Sequence, residues 1–212
     1  MRLVCISDTH SRHEQMPPIP AGDVLIHAGD CTGSGSLPAL DDFTTWLGAQ
    51  PHRHKILIAG NHDHCFVRYS AWSREMCEKQ GINYLQGEAT SIDGCNFYGF
   101  PWQPIYRHMS FNAGPSELWE RLKLVPDNTD VLITHGPPLG IFDWMPDIGE
   151  HVGSFEIAKT IDQLTQLKAL VFGHIHEGYG FATRESDGIK FANASTCNER
   201  YQPVNPPIII DL

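Results

Sequence analysis

Short aliphatic and β-branched runs punctuate the chain at Leu3–Ile6, Val24–Ala28, Lys55–Ala59, Asn96–Phe100, Val131–Thr134, Ala169–Phe172, Tyr179–Thr183, Lys190–Ala194 and Pro207–Asp211. Each has the length of an ordinary strand. Several are apolar throughout, which predicts strands covered on both faces. Between them the spacing becomes helical. Leu37, Leu40, Phe43 and Leu47 share one face of a helix over Leu37–Ala49, and a second helix over Ala71–Gln80 stops at Gly81. Ser116–Leu122 and Ser154–Leu167 open on serine and predict two more, the latter with Ile157, Ile161 and Leu164 in register. Strands and helices alternate early and strands dominate late, so the expectation is an α/β layered domain on a large mixed sheet or two packed sheets. Ser186-Asp187-Gly188 reads as a hairpin turn between the strands that flank it. No repeat, low-complexity tract or linker breaks the chain, so residues 1–212 are read as a single domain.

The polar residues that follow the apolar runs carry the chemistry. Leu3–Ile6 leads into Ser7-Asp8-Thr9-His10, and Val24–Ala28 into Gly29-Asp30. Lys55–Ala59 leads into Gly60-Asn61-His62-Asp63, Val131–Thr134 into His135-Gly136, and Ala169–Phe172 into Gly173-His174-Ile175-His176. In open α/β sheets the carboxyl ends of the strands line the ligand crevice. Asp8, His10, Asp30, Asn61, His62, His135, His174 and His176 are therefore expected to converge there. Each block alone reads as a turn or a satisfied histidine. Five core strands ending in the same chemistry read as a metal site. Mixed oxygen and nitrogen donors suit Mn, Fe or Zn better than Mg or Ca. In Asp8/His10 and His174/His176 the spacing of two puts both side chains on one side of extended backbone.

Composition narrows the picture. The chain has 212 residues, 41% of them hydrophobic and 19% charged, which excludes a disordered or collagen-like polymer. Lys and Arg number 15 against 25 acids, a net charge of −10 that argues against a broad basic groove for long nucleic acid. Twelve histidines nearly match the Lys and Arg count, an excess that the strand-end histidines partly explain. No leader-like or membrane-spanning apolar run is visible, and six cysteines lack any CxxC pairing, so reduced thiols and a cytoplasmic location are expected. Phe100-Pro-Trp-Gln-Pro-Ile-Tyr106 and Phe142-Asp-Trp144 could form lips that stack a nucleobase, Trp102 included, although core or loop packing is the simpler reading of both. Arg12, His13, His64 and His108 could touch phosphate, although His13 and His108 read more simply as solvated surface. His52, His54 and His151 are read as surface, and His27 as a support behind Gly29-Asp30.

The ordered set Asp-x-His, Gly-Asp, Gly-Asn-His-Asp, His and Gly-His-x-His, here from Asp8 to His176, resembles the calcineurin-like metallophosphoesterases. Cys5–Arg12, Ile58–His62, Thr134–Gly140, Phe172–Gly180, Asn193–Cys197 and Asn205–Ile209 further resemble the metallophosphoesterase-domain-containing phosphodiesterases within that group. The resemblance implies a four-layer α/β/β/α sandwich with two mixed sheets and a site for two divalent ions. Asp8, His10, Asp30 and His176 would hold one ion, and Asp30, Asn61, His135 and His174 the other. Mn²⁺ is favoured among Mn, Fe, Zn, Ni and Mg. His62 would be the catalytic acid above the phosphate, with a metal-bridging hydroxide as nucleophile, and Asn61, His62, Arg12 and Trp102 would contact substrate. Some phosphatases of this group carry an aspartate at the place of Gly33 that supports the catalytic histidine, and Asp63 is the candidate substitute here. The expected activity is hydrolysis of small nucleotide diesters, cyclic nucleotides included. A phosphomonoesterase or nuclease with the same site is the near alternative, and a slow nucleotide-binding regulator or scaffold the distant one.

Overall fold

The computed structural model describes residues 1–212. In chain order the elements are β1 (Arg2–Ile6), β2 (Val24–His27), α1 (Leu37–Gly48), β3 (His54–Leu57), α2 (Cys65–Arg68), α3 (Ser70–Lys79), β4 (Ile82–Tyr84), β5 (Glu88–Ile92), β6 (Cys95–Phe100), β7 (Gln103–Pro104), β8 (Asn112–Ala113), α4 (Pro115–Leu122), β9 (Val131–Thr134), β10 (Trp144–Met145), β11 (Glu150–His151), α5 (Phe155–Ile161), β12 (Ala169–Phe172), β13 (Gly180–Thr183), β14 (Lys190–Asn193) and β15 (Ile208–Asp211). Single 3₁₀ turns follow at His13–Gln15 and His176–Gly178.

Two mixed sheets form the centre. The first runs β15-β1-β2-β3-β4, parallel except for the antiparallel edge strand β15. The second runs β13-β14-β12-β9-β6-β5, parallel through its middle and antiparallel at both edges. Strand alternation divides the core into three slabs. Leu3, Cys5, Ile26 and Ile56 meet Phe97, Val131, Ile133 and Val171 between the sheets. Val4, Leu25 and Leu57 face the other way, onto Leu40, Phe43, Leu47 and Cys77 of α1 and α3. Phe100, Leu132, Leu170 and Phe172 pack on Leu118, Leu122, Ile157 and Ile161 of α4 and α5. The layers are therefore helix, sheet, sheet, helix, as the resemblance implied.

Local chemistry explains the helix ends. Ser36 caps α1 by accepting from the Ala39 N–H at 3.3 Å, and Ser154 caps α5 by accepting from the Ile157 N–H at 3.2 Å. The helix expected to run to Leu167 stops at Ile161, and turns carry Leu164 and Leu167 back onto the core. The flanking strands β13 and β14 do pair antiparallel, but the connection is six residues long, closed by the Arg184 N–H on the Ile189 carbonyl. Two histidines expected at the surface are interior. His13 is buried against Phe43 and Trp46, 3.3 Å from Asp42, and His52 is buried with Nε2 on the Pro20 carbonyl. The His13 ring lies over Phe43 and Trp46 of α1, and the His52 ring is held by the Pro20 carbonyl. His151 and His108 are exposed, as expected. No helix is long and apolar enough to cross a membrane.

Candidate metal centre

Parallel pairing brings the strand ends together. Ile6 lies opposite His27 and His27 opposite Leu57, so β1, β2 and β3 finish on one edge of the first sheet. β9 and β12 finish together in the second, and a Ser7–Ser195 bridge joins the two sheets at that edge. The chain then turns sharply. Asp8, His10, Asp30 and His174 are all non-glycine residues with φ between 45° and 70°. Such strain persists only where the surroundings over-determine it, and it clusters at functional sites. Glycine makes the crowding tolerable at two positions. A Cβ on Gly173 would overlap the Asp8 carboxylate and the Ser7 hydroxyl, and one on Gly60 would overlap Asp30 and the His135 ring.

All eight strand-end residues meet here. Three sets of side chains bring their donor atoms within 4.8 Å of one another: Asp8/His10/His176, His10/Asp30/His62 and Asp30/His135/His174. Asp30 belongs to two of them. Its Oδ1 accepts from the His62 backbone N–H at 2.7 Å, and its Oδ2 lies 3.5 Å from His135 Nε2, 3.8 Å from His10 Nε2 and 4.0 Å from His62 Nε2. Asn61 Oδ1 is 2.9 Å from His135 Nε2.

Hydrogen bonds behind the rings decide which nitrogen faces the centre. A carbonyl can only accept, so His135 Nδ1 donates to Ala28 and His176 Nδ1 donates to Asn198. In the neutral rings Nε2 is then a bare lone pair. His135 Nε2 faces oxygens of Asn61 and Asp30, and His176 Nε2 faces His10 Nε2 at 3.3 Å and Asp8 Oδ1 at 3.5 Å. Asp8 Oδ2 is held by the His174 N–H and the Ser195 hydroxyl, while its buried Oδ1 has no partner in the protein. Donor atoms converging beside a carboxylate oxygen that has no hydrogen bond form a set that fits a divalent metal ion.

Titration tells the same story. Burial would push His135 and His176 down, but Asp30 and Asp8 outweigh it and raise both to about 9. Burial dominates at His10 and His174, which fall to about 4 and about 3. Asp8 and Asp30 lie below the usual carboxylate range despite burial, because the histidines favour the anions. In the protein alone, protons on His135 and His176 occupy positions that a cation would take.

His62 sits differently. Its Nδ1 donates to the Gly33 carbonyl at 3.0 Å, and its ring is a quarter exposed toward a cavity of about 570 Å³. Asp63 does not orient it. That carboxylate is buried and turned inward, accepting from the N–H groups of Gly60, Cys31 and Thr32 and from the Thr32 hydroxyl. His27 is a support, its Nδ1 accepting from Gly29 and its Nε2 on the Thr9 hydroxyl.

Two expected substrate contacts lie elsewhere. Trp102 does not line the cavity; its ring is covered by the Arg121 guanidinium at 4.1 Å and packs with Phe100 and Phe111. The apolar environment that made it look like a lip is core packing. Arg12 is exposed and outside the cavity wall. From the Phe100–Tyr106 run only the Pro104–Tyr106 end reaches the cavity, and Phe142 and Trp144 line a separate hollow. Tyr201, Asn198, Arg107 and Ile148 were not anticipated. They come from loops, where no periodicity marks them.

The sequence model of the calcineurin-like phosphoesterases matches residues 1–178. The chain belongs to this family. It is 42% identical to human metallophosphoesterase domain-containing protein 1 over all of its own length and 71% of the human chain. A UPF0046 protein of Caenorhabditis elegans is 36% identical, with all of this chain and 81% of the worm protein covered. A 3',5'-cyclic-nucleotide phosphodiesterase of Nostoc is 24% identical over 92% of this chain and 72% of its own. The crystal structure of a Thermus thermophilus protein superposes with a TM-score of 0.66 at 14% identity, covering 91% of this chain and 88% of that one. Calcineurin-like phosphoesterases are hydrolases that use divalent metals, which agrees with the donor set described above.

Proposed function

We propose that this calcineurin-like phosphoesterase is a phosphodiesterase for small nucleotide diesters, cyclic nucleotides among them. Asp8, His10, Asp30 and His176 would hold one divalent ion and Asp30, Asn61, His135 and His174 a second; the mixed donors suit Mn, Fe or Zn, and Mn²⁺ is the ion we take first. When bound, two such ions neutralise phosphate oxygens and lower the pKa of water toward neutrality. His62 supplies the acid. With Nδ1–H committed to the Gly33 carbonyl, Nε2 is the position left to carry a proton to the leaving oxygen. Help of this kind is typically worth about 10²–10⁴ in rate.

The charge of the cavity rim carries the diester preference. Arg107 is the single Lys or Arg lining the cavity, against Asp147, Glu177 and Glu199. A monoester arrives with up to two negative charges and meets that acidic rim, whereas a diester brings one. Ile105 and Ile148 are largely exposed at the mouth beside Tyr106, so apolar and aromatic surface is offered to the groups esterified on the phosphate. The Nostoc relative's name points to the same substrate class. The net charge of −10 favours small substrates over long nucleic acid. Six free cysteines support a reducing, cytoplasmic setting.

The test is hydrolysis of bis(p-nitrophenyl) phosphate and of the corresponding monoester with Mn²⁺ and with chelator. Faster cleavage of the diester, abolished by chelator, is expected. Preference for the monoester overturns the diesterase reading, and nucleotide binding without any hydrolysis points to a regulator.

A further inference from the structure

Tyr201 sits in a turn built by Asn198. The Asn198 side-chain oxygen accepts from the N–H groups of Arg200 and Gln202, each at 3.0 Å. Its carbonyl accepts from the Tyr201 N–H at 2.8 Å and from His176 Nδ1 at 2.9 Å. One residue thus fixes a predicted metal-binding histidine and the placement of Tyr201. Tyr201 itself has φ 56°, a conformation rare for a bulky side chain. The strained backbone lays the ring against His10, with centroids 4.8 Å apart, and His176, at 5.2 Å. The His62 ring also lies against His10, again at 4.8 Å. Tyr201 and His62 are therefore neighbours of one ligand ring, and both line the cavity. Tyr201 is 42% exposed there. Its hydroxyl makes no hydrogen bond in the protein; the same holds for Tyr69, Tyr98 and Tyr106, but of these only Tyr106 also lines the cavity, and its ring lies against His174 rather than beside His62. The fold uses the ring and the backbone of Tyr201, and leaves the O–H for something in the cavity.

We propose that Tyr201 is a catalytic residue whose phenol O–H donates a hydrogen bond to a non-bridging oxygen of the bound phosphate, beside His62. This rests on the phosphodiesterase reading above. A neutral donor suits a site whose rim carries little positive charge, because it holds a phosphate oxygen without adding the cation that would favour a dianion.

Tyr201→Phe and Tyr201→Ala in the 212-residue, Mn²⁺-loaded chain test it, with metal content, the Kd for inorganic phosphate, and kcat and KM on bis(p-nitrophenyl) phosphate as readouts. Tyr201→Phe keeps the ring on His10 and His176, so metal content should match wild type. Phosphate affinity and kcat/KM should each fall about tenfold, the size of one hydrogen bond to a charged group. Wild-type phosphate affinity and kcat/KM in Tyr201→Phe overturn the proposal. So does a loss confined to Tyr201→Ala and accompanied by metal loss, which makes the ring mere cover for the ligands. Failure of wild type to cleave the diester defeats the phosphodiesterase reading, and the phosphate affinity of Tyr201→Phe still decides the role of the phenol.

Discussion

The Gly33 carbonyl accepts a hydrogen bond from His62 Nδ1 at 3.0 Å, so a backbone oxygen orients the candidate acid. A side chain at position 33 is not needed for that, and a Cβ there would meet only the His10 carbonyl at 3.7 Å, an ordinary contact. Gly33→Ala should therefore keep kcat within a few-fold of wild type. His62→Ala should lower kcat by about 10²–10⁴ with metal content unchanged, since the ring supplies a proton rather than a ligand. Metal analysis beside steady-state kinetics checks both. Loss of metal in His62→Ala would make His62 a ligand.

Asp63 stands next to His62 but serves the fold. Its buried oxygens gather three backbone N–H groups and the Thr32 hydroxyl, tying the turn after β3 to the turn after β2. Asn at this position aims an amide N–H₂ at donors. Asp63→Asn should cost about 3 kcal/mol of stability, read as a lower denaturation midpoint, before any effect on chemistry is considered. An unchanged midpoint would show that these bonds contribute little.

Asp30 links the two halves of the site. Its Oδ2 reaches toward His10 and His135, while its Oδ1 holds the His62 N–H. Asp30→Ala should reduce bound Mn²⁺ to less than one ion per chain, by elemental analysis of the gel-filtered protein. Retention of two ions would remove Asp30 from the shared position.

The strand-end residues were legible because apolar strands switch abruptly to Asp, Asn or His, and parallel pairing then forces those ends together. The acceptors that orient the rings were not. The carbonyls of Gly33, Ala28 and Asn198 belong to the backbone and leave no side-chain signature. β4 has three residues and β5 is a largely exposed edge strand, so neither carries a strong apolar period. Trp102 and His13 misled for opposite reasons: an aromatic beside prolines looked like a lip, and a histidine among polar neighbours looked solvated. Tertiary packing decided both.

His27 gives the fold an acid sensitivity of its own. The ring is fully buried, its Nδ1 accepts from the Gly29 N–H, and burial lowers its pKa to about 3. In the unfolded chain histidine titrates near 6.5. Between those values unfolding takes up a proton that the folded ring refuses, so this contribution to stability is complete above about pH 6.5 and is lost as pH falls toward 3. His27→Gln should lower stability at pH 7.5 and flatten its decline below pH 6.5 by about 1.4 kcal/mol per pH unit. Urea denaturation of the metal-free proteins at several pH values measures it. Parallel pH profiles for the two proteins would mean that His27 is not the titrating group.

Metal uptake should carry the opposite signature at His135 and His176. Without metal, Asp30 and Asp8 raise both rings to about 9, so both are charged at neutral pH. A ring must give up its Nε2 proton before that nitrogen can bind an ion, while Nδ1–H stays on the carbonyl of Ala28 or Asn198. Protons therefore compete with metal at every pH below about 9. Mn²⁺ affinity should climb as pH rises from 6 and level off near that value. Binding at pH 7 should release close to two protons, visible by calorimetry in buffers of different ionisation enthalpy. Affinity independent of pH between 6 and 9, with no proton released, would exclude these two nitrogens as the ones the ions displace protons from.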